Sequence, residues 1–135
     1  MAITAKGSLM IEVGAGELID KITILKIKAD RMADAAKLRN VKHELDVLSR
    51  AREENLNQSD ELDRLENTLR LVNEALWVIE DDIRACEAVR DFGPKFIELA
   101  RSVYIQNDKR AAIKKSINEL CGSSIVEEKS YTEFF

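Results

Sequence analysis

The chain has 135 residues, of which 34% are charged, with 5 glycines, 1 proline and a formal net charge of −4. So few turn-formers exclude a sandwich or barrel of many short strands, and the acidic balance disfavours a generic nucleic-acid binder. The length suits one domain with its own core, read as residues 9–135 after a flexible extension at 1–8.

Residues 9–13 (LMIEV) form a short β-prone run closed by Gly14 and Gly16. A first helix is predicted over 15–33, where Leu18, Ile22, Leu25 and Met32 recur at helical spacing beside Ile19, Ile24 and Ile27. So wide an apolar arc calls for neighbours on more than one side, and Glu17 and Asp20 suit the positive end of the helix dipole. Asp34 is the expected cap of a second helix reaching about residue 56, with Leu38, Val41, Leu45 and Leu48 as its stripe. The segment 55–59 (NLNQS) reads as a turn, with Ser59 or Asp60 capping the next helix.

The third helix carries the strongest pattern. Leu62, Leu65, Leu69, Val72, Leu76, Ile79, Ile83 and Cys86 alternate steps of three and four, an a/d seam through about four heptads. A helix over 60–90 spans roughly 45 Å at about 1.5 Å per residue. Its excess length over a compact four-helix core must meet the second helix, a second subunit or water. Gly93-Pro94 ends it, and Pro94 suits the first turn of a fourth helix that runs to about residue 120 and stops at Gly122. Phe96, Val103, Ile113, Ile117 and Leu120 are its expected core stripe. The remaining tail is expected to dock, with Ile125-Val126 a candidate to pair with residues 9–13. The fold class is therefore an all-α, antiparallel bundle of about four helices, with a long hairpin of helices two and three and a small terminal β pairing.

Polar residues interrupt these stripes. Asn73, Trp77, Glu80 and Arg84 share one face of the third helix, with Asp81 at its border. Arg101, Tyr104, Asp108 and Lys115 share a face of the fourth, flanked by Asn107, Arg110, Lys114 and Asn118. Asn107 and Arg110 break the middle of the apolar stripe, which is costly unless a partner satisfies them; Glu80, Asp81, Glu17, Asp20 or a ligand are the candidates. On the first helix, Glu17 and Lys21 form an i,i+4 pair, and Lys21 and Lys28 face the other polar stripes if the bundle closes. Two readings stand open. One is an internal ion-pair and hydrogen-bond network that fixes helix register. The other is an anion pocket in which Arg84 holds the anion and Trp77 forms a wall. Lys21, Lys28, Trp77, Glu80, Arg84, Arg101, Tyr104 and Asp108 are the candidate ligand-binding residues.

No metal or cofactor is expected. Cys86 and Cys121 are the only cysteines and fall at core positions; His43 is the only histidine and lies on the charged second helix. Neither supplies a zinc set, a di-iron motif or a catalytic triad. Gly14-Ala15-Gly16 is too short for a phosphate loop. With no apolar run of membrane-spanning length and no secretory h-region, a cytoplasmic protein without membrane contact is expected.

Four stretches, GELIDKITILKIKADRM (16–32), VNEALWVIEDDIR (72–84), FIELARSVYIQNDKRAAIKKSIN (96–118) and GSSIVEEKSY (122–131), together resemble a family of small bacterial helical proteins classed as a domain of unknown function. The resemblance implies no assigned activity. Its stretches hold the polar residues named above and also Glu127, Lys129 and Tyr131, which implies a shared polar centre.

The leading functional reading is a non-catalytic helical interaction protein, a homodimer through the long seam, with room for an unidentified protein partner. The alternative is a small-anion binder of dicarboxylates or phosphorylated metabolites, or a mutase-like enzyme resembling all-helical chorismate mutases in architecture alone. An RNA-associated role rests only on the basic stretch of the fourth helix.

Overall fold

The computed structural model describes residues 7–134. The flexible extension expected at 1–8 lies mostly outside the described residues; Gly7 and Ser8 are exposed and non-helical. Four helices follow in order: α1 (Ala15–Arg31), α2 (Ala35–Asn55), α3 (Asp60–Ala88) and α4 (Pro94–Cys121).

The helix ends follow from local chemistry. Asp34 caps α2, its carboxylate accepting from the Lys37 N–H at 2.9 Å, and the Ser59 hydroxyl caps α3 by accepting from the Leu62 N–H at 3.1 Å. Pro94 opens α4 and Gly122 closes it in the left-handed conformation, φ 67°, with the Ser123 N–H returning to the Asn118 carbonyl. The start of α1 differs. Gly14 has no side chain to cap with, so the cap comes from the far end of the chain: the Ala15 N–H donates to Ser123 Oγ at 2.8 Å and the Gly16 N–H to Asn118 Oδ1 at 2.7 Å.

α1 is the hub. It packs against α2, α3 and α4, and α3 packs against α4. This accounts for the wide apolar arc, since Leu18, Ile19, Ile22, Leu25 and Ile27 are all buried. Ile19 meets Leu62, Leu69 and Ile117 in one cluster, flanked by Leu56, Leu65, Ile113 and Cys121. The α3 seam is spent inside the chain in its first half: Leu62, Leu69, Val72 and, farther on, Cys86 are buried, whereas Leu65, Leu76, Ile79 and Ile83 are half-buried. The expected hairpin of α2 with α3 is corrected in one respect. The close neighbour of α2 is α1, and α2 reaches α3 through Arg52, which pairs with Glu66 and lies 3.7 Å from Asp63. α2 buries only Val41, so it has little apolar surface with which to cover a second helix.

The terminal β pairing is also corrected. No strand occurs among the described residues. Where residues 9–13 run into α1, Gly14 lies against Asn118 and the Ile125 carbonyl. Beyond that point, side chains hold the tail to α4: Glu127 to Lys114, Lys129 to Asp108, and Phe134 edge-on to Tyr104. Such anchors fix the tail without a ladder. No helix among the described residues is long and apolar enough to cross a membrane. Both cysteines are free; Cys86 is buried, and partial burial pushes the Cys121 thiol up against the opposing pull of the Arg52 charge.

Gly16 sets the approach of α1 to α4, since a Cβ there would overlap the Lys114 carbonyl oxygen, a backbone atom that cannot step aside alone. Gly16→Ala is expected to cost about 3 kcal/mol, the upper end for overpacking, and to lower Tm by roughly 10 °C, as read by thermal denaturation.

Candidate functional site

Two polar arrangements share α4. The inner one is centred on Asp20, one turn into α1 and 1% exposed. Its carboxylate accepts two bonds from Arg110, at 2.9 Å from Nε and 2.5 Å from Nη2, and one from Asn73 Nδ2 at 2.9 Å. Asn73 Nδ2 also donates to Thr23 Oγ1 at 2.8 Å, and the Thr23 hydroxyl donates to the Asp20 carbonyl at 2.7 Å. The forked guanidinium matches a carboxylate better than an ammonium does, which suits Arg at 110. Hydrogen bonding to Asp20 raises the Arg110 pKa against the opposing effect of burial.

Lys114 links this centre to the surface. Its ammonium lies 2.7 Å from Glu17, 4.0 Å from Asp20 and 2.9 Å from Glu127 in the tail. Burial pulls the Lys114 pKa down, but the bonds to Glu17 and Glu127 and the charge of Asp20 outweigh it, leaving it raised. The bond from Lys114 lowers the pKa of Glu17. No buried side-chain nitrogen or oxygen among the described residues is left without a partner. The inner network is therefore complete without a ligand.

The outer arrangement is an open groove of about 870 Å³ between α4 and the tail. Its floor is one helical face, Asn107, Ala111, Lys114 and Asn118, spaced four, three and four apart. Tyr104 and Phe134, edge-to-face at 5.1 Å, close one end, and Lys115, Glu127 and Lys129 line the sides. Asn118 is 4% exposed, yet only its oxygen is engaged. The Gly16 N–H fixes which end of that amide is oxygen, so the NH2 group is the end left over. Among the described residues it has no partner, and because no fully buried polar atom goes unpaired, it keeps some exposure in a residue that lines the groove. Lys115 likewise has no ion pair.

The sequence-derived candidates fall in separate places. Tyr104 and Asp108 line the groove, with Asp108 bonded to Lys129 at 2.8 Å. Trp77 and Glu80 line a smaller hollow of about 280 Å³ that shares Asn107 and Arg110 with the groove. Arg84 points to solvent, 77% exposed, and bonds Glu80 at 2.7 Å as an i,i+4 surface pair. Lys21 is exposed 3.9 Å from Glu17, Lys28 is half-buried without an ion pair among the described residues, and Arg101 is exposed. Arg84, Arg101, Lys21 and Lys28 are not gathered around one centre. The break at Asn107 and Arg110 and the acid at Asp20 were legible. The reach of Asn118 across to α1 and of Lys114 to Glu127 was not, because both cross about a hundred or more residues or depend on the tail's path.

A family model described as a family of unknown function (DUF6165) matches residues 9–134. The chain belongs to this family. Comparison with curated proteins and with solved structures gives no match. The stretch shared with DUF6165 contains the Asp20 network, the groove and the whole described tail up to Phe134.

Arg110→Ala strands a buried carboxylate with only Asn73 and a distant Lys114, so it is expected to cost about 3 kcal/mol in urea denaturation. Arg84→Ala removes an exposed pair and should cost no more than about 0.5 kcal/mol in the same experiment. Equal losses would remove the distinction drawn between the two arginines.

Proposed function

We propose that the chain is a small-molecule-binding helical protein whose site is the groove between α4 and the tail, acting by binding rather than catalysis. The supporting observation is Asn118: a side chain nearly out of solvent, held by the α1 backbone, with its donor end unspent on a groove of ligand size. Perturbed Lys114 beside it adds to the same reading. The Asp20 network then serves as the rigid support of the groove floor rather than as a reactive centre, since its carboxylate is already engaged by Arg110 and Asn73. A thermal-shift screen across carboxylates, phosphates, sugars and nucleosides tests this. A ligand at 100 times its Kd should add about 2.7 kcal/mol, on the order of 10 °C at this size. Lys115→Met should suppress the shift and Arg84→Ala should preserve it; a flat screen defeats the proposal.

A second reading, a homodimer, is favoured by residues 9–13 rather than by the α3 seam. Leu9, Met10 and Ile11 are 84%, 95% and 78% exposed, and among the described residues their backbone makes no hydrogen bond. Exposed apolar backbone of this kind is a template for strand addition. The tail is equally unladdered and starts beside Gly14, so two copies exchanging residues 9–13 pair each run with the other's tail. Sedimentation equilibrium should then give a dimer that Met10→Asp with Ile11→Asp dissociates, and a monomer at every concentration excludes it.

A further inference from the structure

The groove reading, on which this inference rests, leaves open what chemistry the ligand carries, and the tail answers part of that. Glu127 enters the groove from the roof and sets its carboxylate 2.9 Å from the Lys114 ammonium. It is a carboxylate supplied by the chain itself to a position where an ammonium is held by α4. The pair is unequal: the Lys114 side chain is 12% exposed and that of Glu127 49%. Lys114 is fixed by Glu17 from below, whereas among the described residues the backbone of 124–133 around Glu127 makes no hydrogen bond to the helices. An exposed carboxylate on an unladdered segment exchanges readily for another anion, because water already solvates it in part.

The unspent groups around that position are donors. Among the described residues Lys115 has no ion pair, the Asn118 NH2 has no partner, and the Asn107 amide hydrogens are free along the same face. Asp108, the acid on the α4 side of the groove, is already neutralised by Lys129. Glu128, on the outer rim, is the one lining acid among the described residues without a cation. Tyr104 and Phe134 stand at one end of the groove and Tyr131 lies beneath Lys129, 5.5 Å from its ring centre. Aromatic walls of this kind favour a flat ring placed face or edge against them.

We propose that the groove takes a compact molecule with an anionic head and a flat ring, the head replacing the Glu127 carboxylate on Lys114 beside Lys115 and Asn118, and the ring lying against Tyr104 and Phe134. Glu127 is then an internal competitor for the head position. Removing its charge strengthens binding, while removing the Lys115 charge weakens it. The other two tail anchors, Lys129 to Asp108 and Phe134 to Tyr104, keep the roof in place when Glu127 lets go.

The test is titration of the whole chain with phenyl phosphate, inorganic phosphate, benzyl alcohol and phenethylamine, followed by calorimetry and by amide NMR shifts at Tyr104, Lys115 and Asn118. Phenyl phosphate should bind about tenfold more tightly than phosphate or benzyl alcohol, with shifts at all three residues. Glu127→Gln should tighten phenyl phosphate roughly two- to fivefold and Lys115→Met should loosen it by a similar factor. Benzyl alcohol or phenethylamine binding the groove as well as phenyl phosphate overturns the anionic class while leaving the groove a binding site. No shift with any of the four overturns this inference, and the broader thermal screen then decides separately whether the groove binds anything. Tighter binding to Glu127→Gln with Lys115→Met unchanged also overturns it, since the anionic head would then not sit beside Lys115.

Discussion

A carboxylate cannot be taken out of water unless its charge is met, and Asp20 is almost wholly out of water. Meeting that charge requires Arg110 from α4 and Asn73 from α3 to converge on one turn of α1. Three helices are thereby held in a single register, because a shift of any of them by one residue would carry its donor off the carboxylate. The apolar cluster around Ile19, Leu62, Leu69 and Ile117 supplies the larger share of burial, but oily contacts tolerate sliding more than a bidentate ion pair does. The neighbouring contacts agree with the same register: Gly16 against Lys114 and Asn118 sits about one turn before Asp20 against Arg110, with the two helices running in opposite directions.

The groove is a consequence of that arrangement. α4 turns Arg110 inward and presents Asn107, Lys114, Lys115 and Asn118 along the adjoining surface. Lys114 belongs to both sides, bonded to Glu17 within and Glu127 without, and it stays cationic because those bonds outweigh its burial. Among the described residues no buried polar side-chain atom is unpaired, so the inner network is complete without a ligand.

Much of this was legible from residue order. Caps at Asp34 and Ser59, the stop at Gly122 and the start at Pro94 depend on groups a few residues apart. The wide arc of α1 announced a helix contacted from several sides, and the polar break at Asn107 and Arg110 announced a buried partner, with Asp20 among the candidates. The spacing of Trp77, Glu80 and Arg84 puts them on one face of α3, but spacing along one helix does not say what lies opposite it; Arg84 meets solvent and Glu80. The α3 seam likewise declared an apolar stripe without declaring whether it would meet another copy or the chain's own α1 and α4.

Residue order alone specified four helices, their ends and their apolar faces, because 3.6-residue periodicity, capping and the special backbones of glycine and proline act locally. Packing in three dimensions was needed to turn α2 to α1, to let Asn118 cap a helix about a hundred residues away and to lay the tail as the roof of a groove held by Glu127, Lys129 and Phe134. Those outcomes depend on which surfaces become neighbours once the core closes. That choice rests on summed burial and charge pairing between distant segments, and no window of neighbouring residues contains it.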